Sequence, residues 1–291
     1  MILEHYREDY YTGRGRQFLD YKVLWIRKIL GIMIPLKERS DAFDEISVRN
    51  PRPDSDGIVS VSLWGDGVSD RFRKGLMDPL LSNVGQLRSK LPGWVCRVYA
   101  SSELPEQVLT ELVDAGCEVY IMPAPRQGGE GFVWRFLATN EQKPVIIHDA
   151  DMTFDELRPG LFDVAEQWLK TDKPFLRRQL YAVNVWGNPV SGGCWGSRPC
   201  PDGKNPLVDM KDRLSKYSFE GYGIDEAFLT KEVWPIMKRE GYYTTEPSSD
   251  AVASCVILVL SVISLVLLFI GGVLFLRRRK NMESSHLRTK R

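Results

Sequence analysis

The stretch "KPVIIHDADMTF", Lys143 to Phe154, decides how the chain is read. Three branched apolar residues in succession, Val145 to Ile147, suit a strand buried on both faces, as in a parallel sheet covered by helices. The run stops at His148 and then at two carboxylates one residue apart, Asp149 and Asp151. A carboxylate is costly to bury without a partner. Beyond the carboxyl end of a parallel strand it need not be buried, because open α/β sheets bind their ligands there.

The surrounding pattern agrees with such a sheet. "IVSVSLWG" (58–65), "GWVCRVYAS" (93–101) and "CEVYIMPA" (117–124) read as strands. Between them, "DRFRKGLMDPLLSNVGQLRSKL" and "LPEQVLTELVDAG" read as helices, the second closed by Gly116. "GFVWRFLATNEQ" predicts a short helix before the fourth strand, and "RPGLFDVAEQWLKTDK" a helix after it. Strands alternating with helices predict βαβ crossovers and a mainly parallel sheet. The segment from Tyr181 to Pro206, rich in Gly, Pro, Asn and Trp, reads as loop. "YGIDEAFLTKEVWP" opens a last helix, with Asp225 placed to cap it.

The 291 residues carry a formal charge of +1 that hides an asymmetry. Residues 1–250 hold 32 basic and 37 acidic side chains, so the body is acidic, which argues against a general nucleic-acid binder. The C-terminal part is basic. It follows "AVASCVILVLSVISLVLLFIGGVLFL", Ala251 to Leu276, which is 26 residues without a charge and long enough to span a bilayer. "RRRK" comes next, and the positive-inside rule then puts residues 277–291 in the cytosol and the body on the other side. No secretory signal opens the chain, so a tail-anchored protein with a cytosolic body stays open. "VLWIRKILGIMIPL", Val23 to Leu36, suits an amphipathic helix on a membrane or on the body. The expected organisation is an extension at 1–56, an α/β domain at 57–250, a transmembrane helix at 251–276 and a basic tail at 277–291.

Two carboxylates at a strand end make a hard oxygen site for Mg²⁺ or Mn²⁺, whose open positions substrate phosphates can fill. The pattern alone is weak: Asp54-Ser55-Asp56 repeats it in a Pro-rich linker with no strand before it and reads as solvated turn. His148 reads as a hydrogen-bonded orienter rather than a ligand. Cys194 and Cys200 have a spacing that permits a disulfide without demanding one, and no Cys/His cluster suggests zinc.

Six pieces in order, "VSLWG", "LPGWVCRVYAS", "VWRFLA", "VIIHDADM", "SGGCWG" and "YGIDEAFLTKEVWP", resemble metal-dependent glycosyltransferases of the GT-A type, most closely a group of bacterial and viral proteins of that class. The resemblance covers about Gly57 to Pro235. It implies a GT-A-like sheet flanked by helices and transfer of a sugar from a nucleotide-sugar donor to a hydroxyl on a glycan, glycoconjugate or lipid-linked acceptor. It implies that Asp149 and Asp151 hold Mn²⁺ or Mg²⁺ and diphosphate, with Trp64 near the base or ribose and Arg135 near the phosphates. Gly192, Gly193 and Trp195 would line the sugar and acceptor side, Trp195 as a stacking platform in its loop. Asp225 or Glu226 would be the acidic group, a base in an inverting enzyme. The chain departs from that pattern in lacking a further ligand, often histidine, near the end of the domain. A nucleotidyltransferase and a catalytically silent, membrane-tethered binding protein are the competing readings.

Overall fold

The computed structural model describes residues 42–125, 129–154, 160–178, 189–217, 219 and 224–244. The expected membrane segment at 251–276, the tail, and Val23 to Leu36 lie outside them. Among the described residues no helix is long and apolar enough to cross a membrane.

The architecture is mixed α/β: one eight-stranded sheet flanked by helices. The strands are β1 (Ser47–Arg49), β2 (Gly57–Leu63), β3 (Trp94–Ser101), β4 (Glu118–Met122), β5 (Val145–His148), β6 (Phe175–Arg177), β7 (Cys194–Ser197) and β8 (Tyr242–Thr244). They lie in the order β1-β4-β3-β2-β5-β7-β6-β8. β4, β3, β2 and β5 are parallel, while β1 and β7 run antiparallel to their neighbours and β8 runs parallel to β6.

The four strands expected from the sequence are the parallel centre. The other four were not expected. β1 precedes the anticipated domain start at residue 57, so the folded body begins earlier, and Ala42 and Phe43 are already in its core. β7 falls in the segment read as loop. Its "CWGS" alternates too briefly to stand out, and its pairing with β5 and β6 supplies what the local pattern lacks.

α1 joins Asp70–Phe72, a π-helical turn Arg73–Met77 and Asp78–Lys90. Ser69 caps it by accepting from Phe72 N–H at 3.1 Å. α2 is Glu106–Asp114; α3 is Gly129–Val133, continuing as a 3₁₀ helix Trp134–Asn140; α4 is Leu161–Leu169; α5 is Met210–Ser215. α6 joins Ile224–Phe228, a π turn Leu229–Val233 and Trp234–Glu240.

Strand periodicity sends alternate side chains to opposite faces. Val59, Val61, Leu63 and Ile146 pack against α1, α2 and α4 on one face. Ile58, Val145 and Ile147 pack against α3, α5 and α6 on the other. From β2 the chain winds outward through β3 to β4, then crosses back by α3 to place β5 on the far side of β2. Reversing the winding at β2 moves the crossover helix to the opposite face, as right-handed connections require. The switch point therefore lies between β2 and β5, where open sheets leave a crevice at the carboxyl ends of the strands.

The second face also buries charge. Arg97 on β3 donates to Glu118 on β4 at 2.6 Å and to Glu141 at 2.8 Å, with Arg97 and Glu118 almost wholly buried. Removing Arg97 would strand a buried carboxylate, whereas Lys74 and Asp70 form an exposed pair at 3.0 Å. Arg97→Ala should cost about 3–5 kcal/mol and Lys74→Ala within about 0.5 kcal/mol. Urea denaturation of the two variants measures the difference.

Candidate functional site

β2 ends at Leu63 and is followed by Trp64; β5 ends at His148 and is followed by Asp149. Between these ends, on the second face, sits Arg135 in the 3₁₀ turn of α3. Its place is fixed by two serines that the alternation of "VSVSL" turns inward. Ser60 Oγ donates to the Arg135 carbonyl at 2.8 Å, and Arg135 N–H donates to Ser62 Oγ at 2.9 Å. Both serines are buried. A buried hydroxyl needs a partner, and here the partner is the backbone of the residue that organises the site.

The Arg135 side chain is 4% exposed and bridges two carboxylates. It donates to Asp149 Oδ1 at 2.6 Å and reaches Asp225 Oδ2 at 3.4 Å. Asp225 thus belongs to the site through Arg135, from the first turn of α6. Burial pushes its pKa up to about 6; Arg135 pulls it down, while Glu226 and Asp149 push it up. Glu226 follows it and is half-buried. The two expected carboxylate groups, one after β5 and one on α6, are therefore brought together.

Gly192 and Gly193, at the amino end of β7, lie against the same carboxylates. A Cβ on Gly192 would overlap Asp225 Oδ2, and one on Gly193 would overlap Asp149 Oδ2. Glycine lets the backbone come this close, and a side chain at either position would have to displace a carboxylate of the site. β7 runs antiparallel to β5, so its start lies beside the end of β5, with His148 paired to Cys194.

Asp151 is half-buried in the turn after β5. Asn83 of α1, fully buried, holds that turn at two points: its Nδ2 donates to the Met152 carbonyl at 2.8 Å and its Oδ1 accepts from Phe154 N–H at 2.8 Å. His148 is buried and donates from Nδ1 to the Asp149 carbonyl at 2.7 Å, as an imidazole facing a carbonyl must. Burial lowers its pKa to about 4; Asp149 opposes this, and Arg178 and Arg135 add to it. It is neutral at pH 7. Arg178, one residue beyond β6, is buried at the same edge of the sheet.

Three polar atoms around this crevice are buried without a hydrogen-bond partner among the described residues: Trp64 Nε1, Arg135 Nε and His148 Nε2. Such groups are costly unless a ligand or water meets them. Trp64 packs edge-on against Phe132, ring centroids 4.8 Å apart, and its N–H is a donor awaiting an acceptor.

Trp195 corrects the expectation of a sugar platform. It is on β7 rather than in a loop, is 0% exposed, and packs edge-on against Phe136 with ring centroids 5.5 Å apart. Odd residues of β5 and their β7 partners share the second face, and Trp195 pairs with Ile147. Cys200 is a free thiol. Sequence reasoning did not single out Ser60, Ser62 or Asn83. The inward serines of β2 were visible as polar residues in an otherwise apolar strand.

Among the described residues no group of three or more His, Cys, Asp or Glu could hold a metal ion. Asp149 and Asp151 are a two-carboxylate set, with one Asp149 oxygen already engaged by Arg135. Two carboxylates are too few for a self-sufficient metal centre, and a cation there would need the phosphates of a substrate to complete its shell.

No family model matches the chain, and no curated protein matches it. Among solved structures, a mycobacterial protein aligns over 66% of this chain and 76% of its own at 14% identity, with a TM-score of 0.33. A likeness that slight bears on neither fold nor function.

Two predictions follow from this geometry. Gly193→Ala should drive the Asp149 carboxylate from Arg135 and lower the unfolding midpoint while circular dichroism stays native; urea denaturation of the variant reads it. The two shifted groups give opposite slopes of stability with pH. Between pH 6.5 and 4 the unfolded chain protonates His148 and the folded one does not, so this group lowers stability as pH falls. Between pH 4 and 6 the unfolded chain ionises Asp225 and the folded one does not, so this group lowers stability as pH rises. Relative to wild type, Asp225→Asn should lose stability more steeply on acidification, and His148→Gln more steeply on raising the pH, in denaturation series across this range.

Proposed function

We propose that the protein is a membrane-anchored, GT-A-like glycosyltransferase that moves a sugar from a nucleotide-sugar donor to a hydroxyl acceptor. One observation carries the reading: Asp149 stands beside the switch point of the sheet, tied by Arg135 to Asp225 on a distant helix. An anion-binding group and an ionisable acid thereby share one crevice. The resemblance in "VSLWG", "VIIHDADM", "SGGCWG" and "YGIDEAFLTKEVWP" supports the same reading.

In it, the nucleotide lies across the ends of β2 and β5, with the Trp64 N–H available to its base or ribose. Arg178 offsets charge of the diphosphate, while Arg135 holds Asp149 and Asp225 in place. Asp149 and Asp151 would hold Mn²⁺ or Mg²⁺, which when bound would supply positive charge against the diphosphate. Gly192 and Gly193 let the sugar approach the carboxylates. Asp225, ionised at pH 7 yet with a pKa near 6, accepts the proton of the acceptor hydroxyl. Glu226 beside it pushes the Asp225 pKa up. Ala251 to Leu276 anchors the chain in a membrane.

Donor hydrolysis tests the reading. A panel of nucleotide sugars incubated with the protein and Mn²⁺ should release a nucleoside diphosphate, and Asp149→Asn or Asp151→Asn should reduce release at least a hundredfold with the fold intact. Mn²⁺ without nucleotide should bind only weakly and should tighten when UDP or GDP is added, seen in the electron paramagnetic resonance of free Mn²⁺. Turnover of nucleoside triphosphates instead would assign nucleotidyl transfer. Neither turnover nor nucleotide-linked Mn²⁺ binding would leave a silent binding protein.

A further inference from the structure

The strand directions fix where the chain leaves the sheet. β7 runs antiparallel to both β5 and β6, so β6 runs parallel to β5, and β8 runs parallel to β6. The carboxyl end of β8 therefore lies at the same edge of the sheet as Asp149. The register makes this concrete: Thr244 is level with Arg177, Arg177 with Trp195, and Trp195 with Ile147, two residues before Asp149. Three strand spacings separate Thr244 from Ile147, about 14 Å. From Thr244 to Ala251, where the uncharged stretch of 26 residues starts, is seven residues. These reach at most about 25 Å.

The other flank enters at the same edge. β1 runs antiparallel to β4, and its first residue, Ser47, pairs with Ile121 near the carboxyl end of β4. Just before it, the Ala42 carbonyl accepts from Trp134 Nε1 at 3.1 Å, where α3 gives way to its 3₁₀ turn. The apolar stretch Val23 to Leu36 ends six residues before Ala42. Two of the large apolar side chains left exposed among the described residues also lie here. Val68, in the loop after β2, is 79% exposed and Ile46 is 62% exposed.

We propose that this edge of the sheet docks on the bilayer surface, so that the crevice opens toward the lipid headgroups and the acceptor hydroxyl is carried by a lipid. The docking follows from the strand directions and the short tether. The lipid acceptor rests in addition on the glycosyltransferase reading, and it narrows the acceptor from the three classes the resemblance allows. A soluble acceptor would gain nothing from an anchor joined to the sheet by a tether of at most about 25 Å. A lipid-borne one is confined to the plane that such a tether can reach.

Photocrosslinking tests the orientation without depending on catalysis. The full chain is placed in vesicles of phosphatidylcholine and phosphatidylglycerol, with p-benzoylphenylalanine introduced at Val68 on the site edge or at Lys90. Lys90 ends α1 at the opposite edge and is exposed. Lipid adducts should form at least tenfold more at position 68. Equal adducts at both positions, or adducts only at position 90, would overturn the docking. For the acceptor, membranes from cells expressing the full chain receive radiolabelled UDP- and GDP-sugars, with the Asp149→Asn variant as blank. Label entering the organic extract supports a lipid acceptor; label entering only water-soluble glycan overturns it while leaving sugar transfer standing. Donor hydrolysis absent in all cases would sink the glycosyltransferase reading and the lipid acceptor together, and the crosslinks would still decide the orientation.

Discussion

One guanidinium organises the crevice. Arg135 is buried, and its charge is balanced by Asp149 at the end of a central strand and Asp225 on the last helix. A buried ion pair is a doubtful source of stability, because desolvation takes back most of what attraction provides. Its value here is positional. The two carboxylates come from segments 76 residues apart, and the charge between them gives each one place to be. The backbone of Arg135 is in turn held by Ser60 and Ser62, so the geometry is anchored in the most buried strand of the sheet.

The arrangement also explains the unequal electrostatics of two neighbouring groups. Asp149 keeps a side chain 32% exposed and a direct bond to Arg135, whereas Asp225 is buried with the longer contact. Burial then outweighs attraction at Asp225 and lifts its pKa toward neutrality. His148 carries no charge at pH 7 and donates from Nδ1 to the Asp149 carbonyl at the strand end.

The parallel centre of the sheet was legible because each strand is an apolar run set between amphipathic helices. "PVIIH" followed by two aspartates announced both the strand and its edge. Arg135 and Asp225 were legible as candidates, but their meeting through one side chain was not, since nothing local to "WRF" or "GIDEAF" encodes a contact across 90 residues. The glycines of "SGGCWG" were expected to line a sugar and acceptor side; the structure shows instead that Asp149 and Asp225 occupy the space a Cβ would need there. Trp195 misled because a tryptophan among glycines looks like a loop residue. The pairing of β7 with β5 and β6 turns it inward instead. β1 and β8 are three-residue edge strands, too short for periodicity to reveal.

The antiparallel strand β7 links these observations. Had the neighbour of β5 been parallel, its amino end, with Gly192 and Gly193, would lie at the far edge of the sheet from Asp149. By running the other way, β7 brings its glycines to the carboxyl end of β5, and β6 and β8 then resume the direction of β5. One reversal thus closes the crevice with bare backbone and also delivers the last described strand to the same edge. The loop that must approach the carboxylates and the chain that leads to the apolar segment follow from a single topological choice.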